Sequence, residues 1–183
     1  MKDWLEQIRR AGKAPLGQTA GFLLLFLAFG AGMGAAAKLL DLYTGYLGEV
    51  FSQLSVWILL GTAIAVRSGS PKRAAGYVLV FCLGMLAAYY TTAHLTSSPY
   101  SMAFVWGWTA FSLLSPLFAA LAWYAGGRGW PAAVLSAGIL LFTAAAAVLL
   151  FGKLRFSDAA VLLFLGILLF GRRPREAGPG ADR

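Results

Sequence analysis

The chain has 183 residues, of which 60% are hydrophobic and only 12% are charged. A soluble domain carries about 25% charged residues, and a soluble chain this small exposes too much surface to hide such an apolar excess. The composition therefore excludes an ordinary water-soluble domain and predicts an integral membrane protein. The net charge of +8 comes from Lys and Arg residues that flank apolar runs. That placement is typical of membrane topology and does not indicate a nucleic-acid partner.

Cysteine and histidine each occur once, as Cys82 and His94. One cysteine cannot form an intrachain disulfide or a CxxC redox pair. A zinc site built from several Cys and His ligands is also not available. We find no catalytic triad, HExxH or phosphate-binding loop, so the sequence predicts no catalytic residue, metal or cofactor.

The first 15 residues predict a short amphipathic segment that lies on the cytoplasmic membrane surface. Its apolar edge and the basic residues beside that edge are Trp4, Leu5, Ile8, Arg9, Arg10 and Lys13.

Six apolar runs follow, separated by segments that contain charges, glycine or proline. A helix needs about 20 apolar residues to cross a bilayer core, and the sixth run is short for a span. The pattern predicts an all-α polytopic membrane protein with one six-helix transmembrane domain over residues 16–171. The six runs are residues 16–37, 50–66, 74–94, 100–125, 132–151 and 159–170.

Polar residues at the starts of two runs predict helix caps. Ser70 is placed to cap the third helix, with Pro71 in its first turn. Ser157 is placed to cap the sixth helix.

Lys and Arg residues are shared unequally between the two sides of the predicted membrane. Twelve lie in the N-terminal segment, in the loops after the second and fourth runs, and in the tail, whereas three lie on the other side. Cytoplasmic loops are enriched in positive charge, so both termini are predicted to be inside. This describes a multi-pass protein of the bacterial inner membrane with a disordered cytoplasmic tail at residues 172–183.

Several charged and amide side chains near the predicted outer face have helical spacing. Glu49 and Gln53 are four residues apart, which predicts that they share one face of the second helix. Polar side chains at membrane depth are costly and usually functional. Lys38 and Asp41 are three residues apart, close enough to pair if the first helix continues past residue 37.

Tyr90 and His94 have the same spacing in the third run, and further aromatic residues lie at the same predicted depth. Together these residues predict a wet, aromatic-lined mouth that binds a small solute. Two alternatives stay open: an interfacial aromatic belt and exposed loop ion pairs. The candidate ligand-binding residues are Lys38, Asp41, Tyr46, Glu49, Gln53, Tyr89, Tyr90, His94, Trp106, Arg155 and Asp158.

Small residues crowd the first run. Gly30 and Gly34 form a GxxxG pattern, and Ala28, Gly32 and Ala36 form a second stripe. Small stripes let helix backbones approach closely. They predict either packing within the chain or docking of a membrane partner subunit, for which Ala28, Gly32 and Ala36 are the candidate surface.

A set of short motifs resembles a family of small, uncharacterised six-span bacterial inner-membrane proteins. The motifs are FSQLSVW at 51–57, SPKRAA at 70–75, FCLGM at 81–85, YY at 89–90, WGW at 106–108 and RFSD at 155–158. That family has no assigned activity, so the resemblance implies a fold and a membrane location only.

The layout is similar to that of the S components of energy-coupling factor vitamin transporters. Those six-helix proteins bind a vitamin near the outer face, under the loop that joins helices one and two, and they dock through small residues of helix one. In this sequence, residues 38–49 correspond in position to that loop, and the small stripe of the first run corresponds to the docking residues of helix one. The stripe departs from that family because it runs to the outer end of the helix, whereas the docking alanines of S components lie in the cytoplasmic half.

The leading functional prediction is therefore capture of a small solute at the extracytoplasmic face, as a transporter or its binding subunit. One alternative is a membrane-embedded enzyme acting on a lipid headgroup, with Glu49 or Asp158 as base and Arg155 holding an anion. Another is a non-catalytic membrane partner subunit.

Overall fold

The computed structural model describes residues 6–12, 15–51, 53–152 and 154–171, with only the backbone described for Leu16, Glu49, Leu150 and Phe151. The regular structure within these residues is helical, which confirms the predicted all-α class. The helices are α1 (Leu16–Tyr43), α2 (Gly45–Phe51), α3 (Leu54–Arg67), α4 (Pro71–Leu95), α5 (Met102–Ala125), α6 (Gly129–Phe151) and α7 (Phe156–Phe170).

Four of the described helices, α1, α4, α5 and α6, are long and apolar enough to cross a membrane. Helices α3 and α7 are apolar but shorter, at 14 and 15 residues. At 1.5 Å per residue they extend about 21–23 Å, less than the roughly 30 Å of a hydrocarbon core. The sequence predicted that the sixth helix, α7, would be short. It did not indicate that α3 would be short as well.

The predicted second helix is interrupted at Gln53. Gln53 has extended backbone angles (φ −73°, ψ 137°) and precedes α3 as its N-cap. Glu49 lies in the separate seven-residue helix α2. The prediction that Glu49 and Gln53 share one helical face is therefore wrong.

One of the two predicted helix caps is confirmed by the structure, and the other is wrong. The Ser70 hydroxyl accepts a hydrogen bond from the Arg73 backbone N–H at 3.3 Å, and Pro71 is the first residue of α4, as predicted. The N-cap of α7 is Arg155, so Ser157 lies inside the first turn and does not cap the helix.

The six longer helices alternate in direction, so the bundle has two distinct ends. At the proximal end, the Gly12 N–H donates to the Gly69 carbonyl at 2.7 Å, and the Arg128 N–H donates to the Ile8 carbonyl at 2.9 Å. This end contains residues 6–12, 68–70 and 126–128. The distal end contains the chain between α1 and α3, the α4–α5 loop and the start of α7.

Helix α1 packs along α4 more extensively than any other pair of described helices. A Cβ atom at Gly30 would overlap the Phe81 carbonyl, and one at Gly34 would overlap the Met85 carbonyl. The GxxxG pattern therefore serves close packing within the chain, because only glycine allows the two backbones this near.

The second small stripe faces away from this contact. Ala28, Gly32 and Ala36 are all exposed. A Cβ atom at Gly32 would meet no described atom within 4 Å. This face of α1 is open in the described part of the chain.

The N-terminal segment packs into the bundle where it is described. Ile8 is buried, and its carbonyl accepts the bond from Arg128 noted above. Trp4, Leu5, Lys13 and residues 172–183, on which other sequence predictions depend, lie outside the described residues.

Candidate functional site

A cavity of about 710 Å³ lies near the distal end, between α1, α3, α4 and α5. Its walls are mainly apolar and aromatic, with one charged pair contributed by the last turns of α1. The aromatic residues that line it are Trp57, Tyr89, Tyr90, Tyr100, Phe104, Trp108 and Phe111.

The charged pair consists of Lys38 and Asp41, whose Nζ and Oδ2 atoms are 3.0 Å apart. It forms because α1 continues to Tyr43, as the sequence prediction required. The Lys38 ammonium also lies 5.5 Å from the ring centroid of Tyr89. An ammonium over an aromatic face is attracted to it, so Tyr89 and Asp41 together hold Lys38 in the cavity wall.

Helix α2 folds back onto the end of α1 and fixes this part of the wall. A Cβ atom at Gly48 would overlap the backbone of Asp41, so the two segments are in close backbone contact. The Thr44 hydroxyl donates to the Leu40 carbonyl at 2.7 Å and closes the last turn of α1. The position of Asp41 is thus set by backbone packing and does not depend on the ion pair alone.

Three tyrosines form a continuous aromatic surface on the α4 and α5 side. The ring centroids of Tyr89 and Tyr90 are 5.3 Å apart in an edge-to-face arrangement. Those of Tyr90 and Tyr100 are 5.4 Å apart. Such contacts favour a defined ring geometry, and the surface can receive a flat ligand by stacking while offering hydroxyls as hydrogen-bond partners.

A second set of polar residues, separate from the Lys38–Asp41 pair, lies between the starts of α3 and α7. Ser157 donates to the Gln53 Oε1 atom at 3.0 Å, and Ser55 donates to the Asp158 Oδ1 atom at 2.7 Å. The Arg155 backbone N–H donates to the other Asp158 oxygen at 3.2 Å. Gln53, Ser55, Ser157 and Asp158 are all buried. We call Gln53, Ser55, Arg155, Ser157 and Asp158 the polar cluster; it joins the N-terminal ends of the two short helices.

The eleven predicted site residues are divided among separate places. Those that line the cavity are Lys38, Asp41, Tyr89 and Tyr90. Those in the polar cluster are Gln53, Arg155 and Asp158. Those exposed outside the cavity lining are Tyr46, His94 and Trp106. The side chain of Glu49 lies outside the described residues.

Of the two tryptophans near the start of the fourth run, the predicted site residues include only Trp106. Trp106 is 67% exposed, whereas Trp108 lines the cavity. Residues two apart on a helix point about 200° from each other, so only one of the pair can face inward. The spacing of Phe104, Trp108 and Phe111 at i, i+4 and i+7 was the available signal for the face that lines the cavity.

Comparison with protein-family models, curated proteins and solved structures gives no match for this chain. Functional interpretation therefore depends on the geometry of the cavity and of the polar cluster. Within the described residues, no three Cys, His, Asp or Glu side chains are grouped to hold a metal ion.

Proposed function

We propose that this protein is a six-span protein of the bacterial inner membrane that binds a small solute at its extracytoplasmic face. In this proposal it acts as a transporter or as the binding subunit of one. The four long helices and the shorter α3 and α7 are the six spans, and both termini are cytoplasmic.

The distribution of charge supports this orientation. Arg10, Arg67, Lys72 and Arg128 are exposed at or near the proximal end. Positive charge favours the cytoplasmic side, which supports a proposal in which the distal cavity faces the outer side of the membrane.

The polar cluster supports the inclusion of α3 and α7 among the spans. Irregular backbone at membrane depth is tolerated where it is buried in protein and its polar groups are satisfied. Gln53 and Asp158 are each only 1% exposed and accept hydrogen bonds across the α3–α7 contact. The two short helices can therefore begin below the outer surface without exposing Gln53 or Asp158 to lipid.

The distal cavity is the observation that carries the functional proposal. Its volume of about 710 Å³ lies within the range of small-molecule sites, which are concave, mostly apolar and equipped with a few placed polar groups. The tyrosine surface supplies stacking, and Lys38 and Asp41 supply a donor and an acceptor. A small solute with an aromatic or polar framework fits this lining.

Filling the cavity tests the proposal. Gly107 lines the cavity, and a Cβ atom there would meet no described atom within 4 Å, so the side chain of Gly107→Leu begins in free space and extends a bulky group from the cavity wall. Gly138→Leu is the matched control, because Gly138 is also unobstructed and lies on α6 outside the cavity lining. The purified protein is screened by thermal shift against a panel of small aromatic, zwitterionic and anionic solutes.

The expected result is a solute that stabilises the wild type and the Gly138→Leu variant but not the Gly107→Leu variant. A solute that stabilises all three proteins equally would place binding elsewhere. If no panel member stabilises the wild type, the proposal of a solute site loses its support.

The enzyme alternative has less geometric support. Asp158 is buried and accepts hydrogen bonds from Ser55 and from the Arg155 backbone, so it is committed to the contact between α3 and α7. A general base must reach the proton it abstracts, and Asp158 is not among the residues that line the cavity.

The open face of α1 favours a membrane partner as a further proposal, compatible with a binding subunit. Gly30 and Gly34 are used in packing against α4, whereas Ala28, Gly32 and Ala36 remain exposed. A photo-crosslinker at Gly32 should give a defined membrane-protein adduct in native membranes, while one at Gly138 should not. Equal adducts from both positions would contradict a specific docking face.

A further inference from the structure

The side chain of Arg9 joins two helix ends at the proximal side of the bundle, opposite the cavity. Its Nη1 atom donates to the Trp123 carbonyl of α5 at 2.7 Å, and its Nη2 atom donates to the Val66 carbonyl of α3 at 2.7 Å. The guanidinium carbon lies 4.4 Å from the centroid of the Trp123 ring. One cation thus contacts α3 and α5 at the same time.

The carbonyls that Arg9 binds belong to the last turns of their helices. The last four carbonyls of a helix lack a partner within it, and positive charge is favoured at this end by the helix dipole. The Trp123 indole N–H donates to the Ser68 carbonyl at 2.7 Å, which adds a direct link between the same two helix ends. Arg9 therefore completes a junction that α3 and α5 only partly make by themselves.

Residues 6–12, which we call the strap, are also held by their backbone. The Ile8 carbonyl accepts from the Arg128 N–H, and the Gly12 N–H donates to the Gly69 carbonyl. The Gly12 carbonyl accepts from the Arg73 guanidinium. The strap thereby crosses both the α3–α4 loop and the α5–α6 loop.

Two glycines make room for the strap. A Cβ atom at Gly126 would lie 2.9 Å from the Arg9 Nη1 atom, and one at Gly127 would crowd the Ile8 carbonyl. The α5–α6 loop is thus shaped to receive the strap at close range, since any larger residue at Gly127 would push against its backbone.

We propose that the strap closes the proximal end of the bundle and must be released before the ends of α3 and α5 can separate. This inference rests on the proposed transport function, because a solute bound in the distal cavity can leave on the opposite side only if the proximal end opens. The strap is a short segment held by a few hydrogen bonds and one buried apolar side chain. Segments with few buried apolar contacts open locally at low free-energy cost.

A thiol reporter at Val66 tests the strap without any solute. Val66 is buried at the proximal end of α3, and the native Cys82 is replaced by alanine so that Val66→Cys provides the labelled thiol. Arg9→Gln should raise the rate at which a small maleimide labels the thiol at position 66 by about tenfold or more, the effect of losing a charge-assisted hydrogen bond on an opening equilibrium. Arg10→Gln removes the same charge from an exposed neighbour and should leave the rate unchanged.

A second pair of variants moves the strap without touching its charge. Gly127→Ala should raise labelling at position 66, whereas Gly138→Ala, which meets no described neighbour, should not. Thr143→Cys, at a buried site on α6, reports whether the whole bundle has loosened.

A rise in labelling at position 66 alone supports the strap. An unchanged rate in folded Arg9→Gln and Gly127→Ala variants, or an equal rise at position 143, would overturn it. If Arg9→Gln does not fold, Gly127→Ala decides the question. The labelling needs no ligand, so a negative labelling result does not contradict the cavity proposal. If no solute binds, the labelling rates can still be interpreted.

Discussion

Lys38 and Asp41 form an ion pair in which the two side chains are buried to very different extents. Their charged atoms are 3.0 Å apart, but the side chain of Lys38 is 6% exposed and that of Asp41 is 40% exposed. The carboxylate is therefore the partner that water or a solute reaches more easily, while the ammonium is held between Asp41 and the face of Tyr89.

This unequal burial predicts that removing Asp41 or Lys38 lowers the free energy of unfolding by different amounts. Asp41→Asn leaves a nearly buried ammonium without its counter-charge and should lower the free energy of unfolding by about 2 kcal/mol. Lys38→Met leaves a carboxylate that water can solvate, so the loss should stay below about 1 kcal/mol. Denaturant unfolding in detergent measures both values, with the exposed Lys72→Met as control. Equal losses, or a larger loss for Lys38→Met, would contradict the burial seen here.

The contact between α1 and α4 predicts that alanine substitutions at two nearby glycines change the stability of the protein in opposite directions. Gly34→Ala places a methyl group against the Met85 carbonyl and should cost about 1–3 kcal/mol through overpacking. Gly32→Ala meets no described atom and should stabilise the helix by up to about 1 kcal/mol. Thermal unfolding of the two variants side by side gives the comparison. Similar melting temperatures for both would mean that α1 does not approach α4 through this face.

The polar cluster predicts strong coupling between α3 and α7. Ser55→Ala removes the donor of a buried hydrogen bond, and Asp158→Asn removes the charge from its acceptor. A double-mutant cycle should give a coupling free energy of about 1–3 kcal/mol. The control pairs Asp158→Asn with Thr109→Val, because the Thr109 hydroxyl bonds only to the Val105 carbonyl of its own helix among the contacts seen. Additive losses for Ser55→Ala and Asp158→Asn would show that the two starts of the short helices are independent.

Features set by local spacing could be predicted from the sequence. The all-α class follows from apolar runs, and the Lys38–Asp41 pair follows from i, i+3 spacing once α1 continues to Tyr43. The Ser70 cap is equally local. These features depend on residues that are close in the chain, so spacing alone is sufficient.

Features set by tertiary packing could not be predicted in the same way. Helices that are apolar all round mark the face that lines a cavity only by the spacing of their aromatic residues, a weak signal that did not separate Trp108 from Trp106. The break at Gln53 is stabilised by Ser157, which lies 104 residues away in the chain. The Arg9 side chain binds backbone carbonyls of α3 and α5. Because every residue has a backbone carbonyl, the sequence does not show which of them will bind Arg9.

The central claim is that the distal cavity faces the outside of the cell and holds a solute, and a thiol at Ala103 tests it most directly. Ala103 is exposed and lines the cavity, so Ala103→Cys in the Cys82→Ala background places a reactive group at its wall. Leu95→Cys, exposed near the same end but outside the lining, is the control. We expect a membrane-impermeant maleimide added outside intact cells to label both positions, and a solute that stabilises the wild type to slow labelling at position 103 only. Labelling at position 103 only from the cytoplasmic side, or equal labelling rates with and without that solute, would contradict the account.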